Sequence, residues 1–215
     1  MGRKALLVCG ILSSILYIGT DALAARLYEG YSYTCQTISE LFAIGAPTRP
    51  LVVSLFLTRS VFQVAFGLGV WMLGGRLRVT AGSLVGFGCF DLAAAPFFPM
   101  HQRAVLAAGG GTLTDTLHII GAAVDVLFIL FIIGFGASVF GKRFRLYSIG
   151  TIVVLLAFGT LAGIDGPRVS ANLPTPWVGV TERISVYSYM LWMAVLAIAL
   201  LSHRDSQDRD SAANC

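Results

Sequence analysis

Charge is scarce in this chain. Asp, Glu, Lys and Arg together make up 12% of its 215 residues, about half the share found in soluble domains. That leaves too little polar surface to keep a water-soluble globule dispersed. Lysine is rarer still: only Lys4 and Lys142 carry it, and the other basic residues are arginine, a bias that fits a GC-rich bacterial genome. The four cysteines, Cys9, Cys35, Cys89 and Cys215, show no CxxC or Cys/His spacing, so neither a disulfide framework nor a zinc site is signalled. There is no HExxH, no nucleophile elbow and no internal repeat. These absences exclude a soluble enzyme with a recognisable catalytic signature.

What the chain does contain is apolar residues in long blocks. They form 56% of the sequence, with a mean hydropathy of +0.80. A membrane-spanning helix needs about 20 mostly apolar residues at 1.5 Å rise each. Six stretches qualify: 5–26, 51–74, 79–98, 114–140, 146–165 and 181–201. Pro47, Pro50, Pro99, Pro167, Pro174 and Pro176, with Gly74-Gly75, mark the breaks between them, because proline and paired glycines stop helices where the chain returns to water. The expected fold is all-α: an integral membrane bundle of six transmembrane helices in one domain, residues 1–201, followed by a disordered polar tail, 202–215. Arg3-Lys4, the apolar run and Ala22-Leu23-Ala24 also imitate a signal peptide with its cleavage site. Ser13, Ser14, Tyr17 and Asp21 within the run argue for a retained span.

The net charge of +4 resides in short loops, which is the pattern of topology signals rather than of a nucleic-acid surface. One side receives Arg3, Lys4, Arg76, Arg78, Lys142, Arg143, Arg145, Arg204 and Arg209; the other receives Arg26, Arg49, Arg103, Arg168 and Arg183. Both termini are therefore expected in the cytoplasm. Membrane lipids are the expected surroundings and nucleic acid is not an expected partner. Nothing in the sequence specifies an oligomeric state.

Ionisable groups inside hydrocarbon are costly, by about 2.5–3.5 kcal/mol each on insertion scales, so their placement is the most informative feature. The intramembrane set is Asp21, Arg59, Asp91, His118 and Asp125, with Asp115, Glu182 and Arg183 at helix mouths. All fall in the outer half or near the midplane. At 100° per residue Asp115, His118 and Asp125 share an arc of about 80°. Ser13, Tyr17 and Asp21 form a stripe on the first span; Glu182, Ser185 and Tyr189 form another on the last. Arg59 lies about 12 Å below the outer end of its helix, Asp91 about 10 Å and Asp125 about 16 Å, so Arg59 should pair with one of these two carboxylates. The expected site is a polar pocket built from Asp21, Arg59, Asp91, His101, Asp115, His118, Asp125, Glu182, Arg183 and Tyr189, open to the outside.

The outer connections add Ser39-Glu40, in a segment from Gln36 to Arg49 that reads as a short interfacial helix, and Gly109-Gly110-Gly111, a flexible connector or lid hinge. Trp177 reads as an interfacial anchor. Gly82–Gly86 and Gly159–Gly163 have GxxxG spacing, which suits close packing within the bundle. Asp115-x-x-His118, with His101 and Asp91, has the residue types of a hydrolytic zinc site. Without a dense ligand motif, neither a metal nor another cofactor is expected. Ser39 and Ser185 are available hydroxyls.

Phe98-Pro99 followed by His101, Asp115…His118 opening a helix, Gly179-x-x-Glu182-Arg183 opening the last helix, and Ile38-Ser39-Glu40 through Pro50 resemble the bacterial membrane family called domain of unknown function 998. The resemblance runs from the first span to Leu201. It implies six helices and a bacterial inner membrane, and no activity. After the Phe-Pro-x step that family commonly has an acidic residue, whereas this chain has His101, so no role is borrowed for that position.

Three functions suit these features. One is a pocket that binds a small solute or lipid headgroup, with Asp125 and His118 able to couple proton movement to transport. Another is a membrane-embedded lipid-modifying enzyme, a hydrolase or transferase, using His118 and Asp115 as acid–base groups and Arg59 or Arg183 to hold an anion. The third is a structural or accessory subunit whose ion pairs only specify the bundle. Transport requires a polar path continuing toward the cytoplasm, and a lipid enzyme requires a blind pocket.

Overall fold

The computed structural model describes residues 2–213, with side chains as far as His203. Helix follows helix: α1 Arg3–Leu27, α2 Arg49–Trp71, α3 Arg78–Phe97, α4 Arg103–Ala107, α5 Leu113–Gly136, α6 Lys142–Ile164, α7 Gly166–Ser170 and α8 Val178–Ala213. No strand occurs among the described residues; Ile44 and His101 form an isolated bridge. Six of these helices are long and apolar enough to cross a bilayer, and they coincide with the six apolar stretches. The helix of α8 continues through Ser202 to Ala213, within the segment expected to be a disordered tail. Side chains from Arg204 onward, and Asn214 and Cys215, lie outside the described residues.

Local chemistry sets the ends. Thr48 precedes α2 and Pro50 stands in its first turn, where the missing N–H is no loss. Thr112 caps α5, and Asp115 reaches back to the Thr112 N–H, closing a capping box. Gly74 and Gly75, both at positive φ, turn the chain from α2 toward α3 through a conformation that other residues adopt at a penalty.

Around the bundle the order of neighbours is α5, α3, α2, α1, α8, α6. The consecutive helices α5 and α6 touch only slightly. The buried residues of α6, Ser148, Thr151 and Leu155, run from its second turn to just past its middle, and they face α8: Trp192 donates to the Ser148 hydroxyl and Ser185 to the Leu155 carbonyl. With no hydrophobic force between helices in lipid, closeness depends on small residues. Close helix contacts fall at Gly88 and Gly136: a Cβ on Gly88 would lie 2.7 Å from Val64 Cγ2 and 3.0 Å from the Ser60 carbonyl, and one on Gly136 would lie 2.7 Å from the Trp192 ring. In each GxxxG pair one glycine is closely packed within the bundle: a Cβ would lie 3.0 Å from Phe128 at Gly86 and 3.0 Å from the Ser185 hydroxyl at Gly159, whereas Gly82 has only Trp71 at ordinary contact distance and Gly163 faces open space.

The two ends of the bundle differ in kind. Toward the termini, Leu7, Phe66, Leu84, Ile132, Trp192 and Leu196 pack at or below 1% exposure and seal the centre. The other end carries three long connections. There a 3-10 helix, Ile38–Phe42, is buried between α1 and α2 on an apolar cluster of Ala24, Ile38, Leu41, Val52 and Phe56. The Ile44 N–H bonds the Met100 carbonyl at 2.8 Å and the Gly179 N–H bonds the Thr34 carbonyl at 2.9 Å, lacing the connections into a cap. The expected interfacial helix thus exists, but it is tucked inside.

Candidate functional site

The polar residues gather at the loop end in layers. Nearest the cap, Arg183 forms a two-pronged pair with Asp21, Nε to Oδ2 and Nη2 to Oδ1, each at 2.8 Å. Its remaining N–H groups reach the Tyr31 hydroxyl at 2.7 Å and the carbonyls of Tyr33, Gln36 and Gly179 at 2.8–3.1 Å. The guanidinium lies 3.6 Å from the Tyr33 ring centroid, and the Tyr187 hydroxyl also donates to Asp21 Oδ2. Burial pushes the Tyr31 phenol up, and its single hydrogen serves the Thr37 carbonyl at 2.8 Å or the Gln36 carbonyl at 3.1 Å.

A second pair, Glu40–Arg103, closes the cap itself. Arg103 Nε meets Glu40 Oε1 at 2.6 Å and Nη2 meets Oε2 at 2.7 Å. Gln36 donates to Glu40 Oε1 at 3.1 Å; because Arg183 holds the Gln36 carbonyl, the two pairs form one network. Between them Glu182 Oε2 accepts the Ile38 N–H at 2.6 Å.

Deeper in, Arg59 Nη1 bonds Asp91 Oδ2 at 2.7 Å and Nη2 bonds Gln63 at 2.5 Å. The guanidinium sits 5.6 Å from the ring centroids of both Tyr17 and Phe87, while Tyr17 stacks on Phe56. Of the two carboxylates in depth range, Asp91 is therefore the partner. Asp125 lies within electrostatic reach of Asp91 and Arg59, yet its buried Oδ1 has no hydrogen-bond partner. Tyr189 is fully buried beside this group and donates only weakly, to Met193 sulfur at 3.8 Å.

The third group links the cap to α5. Asp115 bonds the His101 N–H at 2.7 Å and the His101 ring at 2.9 Å. His118 takes a different set: Nδ1 lies 2.9 Å from the Phe98 carbonyl and Nε2 lies 3.1 Å from Ser39 Oγ. Asp115 and His118 share an arc of α5 but not a bond. The first turn of the helix leaves N–H groups unpaired, and Asp115 is committed to capping them and to His101.

The ten sequence-derived residues thus converge on one half of the bundle, with the three stripes turned inward, but as cross-braced groups rather than as the wall of one open chamber. Sequence reasoning missed Tyr31, Tyr33, Tyr187, Gln63 and the pairing of Glu40 with Arg103. Tyr187 and Gln63 stand four residues after Arg183 and Arg59, a spacing that places them on the same helical face. Nothing in the sequence could bring Ser39 to His118. No three His, Cys, Asp or Glu among the described residues group as metal ligands. The glycine triplet ends α4: Gly109 adopts positive φ and the Gly110 N–H bonds the Val105 carbonyl.

Asp21, Glu40 and Asp91 are each matched by an arginine. Asp125 and Glu182 are not, and Arg49 bonds carbonyls of Phe42 and Pro96 instead of a carboxylate.

Six apolar helices, sealed at one end and braced by buried ion pairs at the other, define a multi-pass helical membrane protein. Residues 11–199 match the family described as "Protein of unknown function (DUF998)", and the chain belongs to that family. No curated protein and no solved structure matches it.

Proposed function

We propose that the loop-end half of the bundle binds the polar head of an amphiphile that enters sideways between α5 and α6, with the cap on the extracytoplasmic face of a bacterial inner membrane. The observation that carries this reading is Asp125: a carboxyl at membrane depth, beside an arginine already committed to Asp91, with a buried oxygen that bonds nothing. In a medium that penalises unmatched polar groups, such an oxygen calls for a hydroxyl or ammonium donor. Glu182, with one oxygen on the Ile38 N–H, is the second acceptor. Asp91 keeps 14% of its side chain exposed, His118 and Asp125 are also incompletely buried, and α5, which carries the last two, touches α6 only slightly. The sealed core toward the termini favours a blind site over a transport path.

The test is native mass spectrometry of protein released from nanodiscs of mixed phosphatidylethanolamine and phosphatidylglycerol. Wild type should retain phosphatidylethanolamine preferentially, and Asp125→Asn and Glu182→Gln should each lower retention at least fivefold; Arg26→Gln, at the exposed end of α1, should not. Equal retention by all four would overturn the reading.

Orientation has its own check. Cys35 lies in the first cap connection with its Sγ at the surface. Hydrogen bonds from the Ser32 and Thr34 hydroxyls hold its thiol below the usual range, which raises the share of reactive thiolate. A membrane-impermeant maleimide should label intact cells, and Cys35→Ser should abolish that labelling. Labelling only after permeabilisation would place the cap on the other side.

A further inference from the structure

We infer that Ser39 and His118 form a nucleophile–base pair that cleaves or transfers the acyl group of a carboxylic ester presented at the amphiphile site. The inference rests on that proposed site for delivery of substrate, but its chemistry stands on separate residues. Ser39 lies on the 3-10 helix of the cap and His118 one turn into α5, 79 positions apart in sequence, and their Oγ and Nε2 meet at 3.1 Å. The other ring nitrogen, Nδ1, is 2.9 Å from the Phe98 carbonyl. A carbonyl only accepts, so Nδ1 carries the hydrogen and Nε2 presents its lone pair to the serine hydroxyl. That is the tautomer a general base needs, held by backbone where hydrolases commonly use a carboxylate.

Three further features suit the role. Phe42 packs edge-on against the imidazole with centroids 6.1 Å apart, which fixes the ring. Ile38, next to Ser39, is tied to Glu182 through its N–H, so the nucleophile sits on a tethered segment. Arg49 donates to the carbonyls of Phe42 and Pro96 at 2.6 and 3.4 Å, tying together the two segments that carry Ser39 and the Phe98 carbonyl. Neither Ser39 nor His118 is fully buried.

The reaction balances with the ester and water alone. His118 Nε2 takes the Ser39 proton as Oγ bonds the ester carbonyl carbon. The carbon–oxygen bond to the alcohol breaks, and His118 returns the proton to that alcohol. Water, or an acceptor alcohol, then releases the acyl group from Ser39 by the same steps.

An alkyl fluorophosphonate is the probe. An activated serine attacks its phosphorus, the Oγ–P bond forms, the P–F bond breaks, and the serine proton passes to His118 as fluoride leaves. Full-length protein in nanodiscs should be labelled on Ser39, mapped by tandem mass spectrometry of the peptide. Ser39→Ala should show no adduct, and His118→Asn should slow labelling at least ~100-fold, the lower range for loss of a general base. Labelling of the wild type needs no variant to fold. A pair that merely ties the cap to α5 would leave Ser39 unlabelled, and that result overturns the inference, as does an unchanged rate in His118→Asn. Lipid retention measured on the same preparation separates the two proposals: retention without labelling removes the pair alone, and loss of both removes the site as well.

Discussion

Arg183→Ala should destabilise the protein by about 3–5 kcal/mol, the range for removing one partner of a buried pair. The pair is fully dry, with side-chain exposures of 4% for Arg183 and 0% for Asp21, so solvent screening offers no relief. The variant strands Asp21 and also releases Tyr31 and the carbonyls of Tyr33, Gln36 and Gly179. Arg183→Lys should recover little, because a point charge cannot reproduce the planar fork that meets both Asp21 oxygens. The measurement is the denaturation midpoint in mild detergent, alongside yield from membranes. A wild-type midpoint for Arg183→Ala would show that the loop end does not depend on this network.

Arg59 and Asp91 should behave as a unit. Either single alanine replacement leaves the other charge at membrane depth, with an expected loss of about 3–5 kcal/mol. The joint replacement Arg59→Met with Asp91→Leu removes both charges together and should regain much of that stability, since a well-packed apolar pair often equals a buried ion pair. Normal folding of Arg59→Ala would disprove the pairing. A joint variant as unstable as either single one would assign the loss to Gln63 and the Tyr17 and Phe87 rings, which also contact Arg59, rather than to the stranded charge.

These variants also bear on the reading of the protein as a bundle held by ion pairs and nothing more. Three matched pairs brace the loop end. Asp125 and the Ser39–His118 contact contribute no ion pair, so they are the places where a structural account and a functional one diverge. Neutralising Asp125 should leave stability intact or raise it, unlike any change at Arg59 or Arg183.

Much of the site was legible because one-dimensional periodicity reports helix faces. Ser13, Tyr17 and Asp21 all point inward, as their spacing implies. Ser13 bonds the Arg59 carbonyl, Tyr17 carries the Arg59 guanidinium and Asp21 meets Arg183. Depth arithmetic narrowed the partner of Arg59 to two residues but could not choose, because rise per residue says nothing about azimuth between helices. Asp115 sits at the mouth of α5 and in its arc, as the spacing implies, and there its hydrogen bonds go to the Thr112 and His101 N–H groups.

By itself the sequence determined the class and the plan: a scarcity of charge, six apolar blocks of spanning length, and polar groups confined to one half. Hydrocarbon enforces each of these on any chain it holds, so they are written residue by residue. Only the tertiary structure decided which charges match, that Asp125 is left over, and that Ser39 comes to rest on His118. Those outcomes depend on how the long connections fold back into the bundle, and a contact across 79 residues is set by the packing of the whole cap rather than by any local preference of the chain.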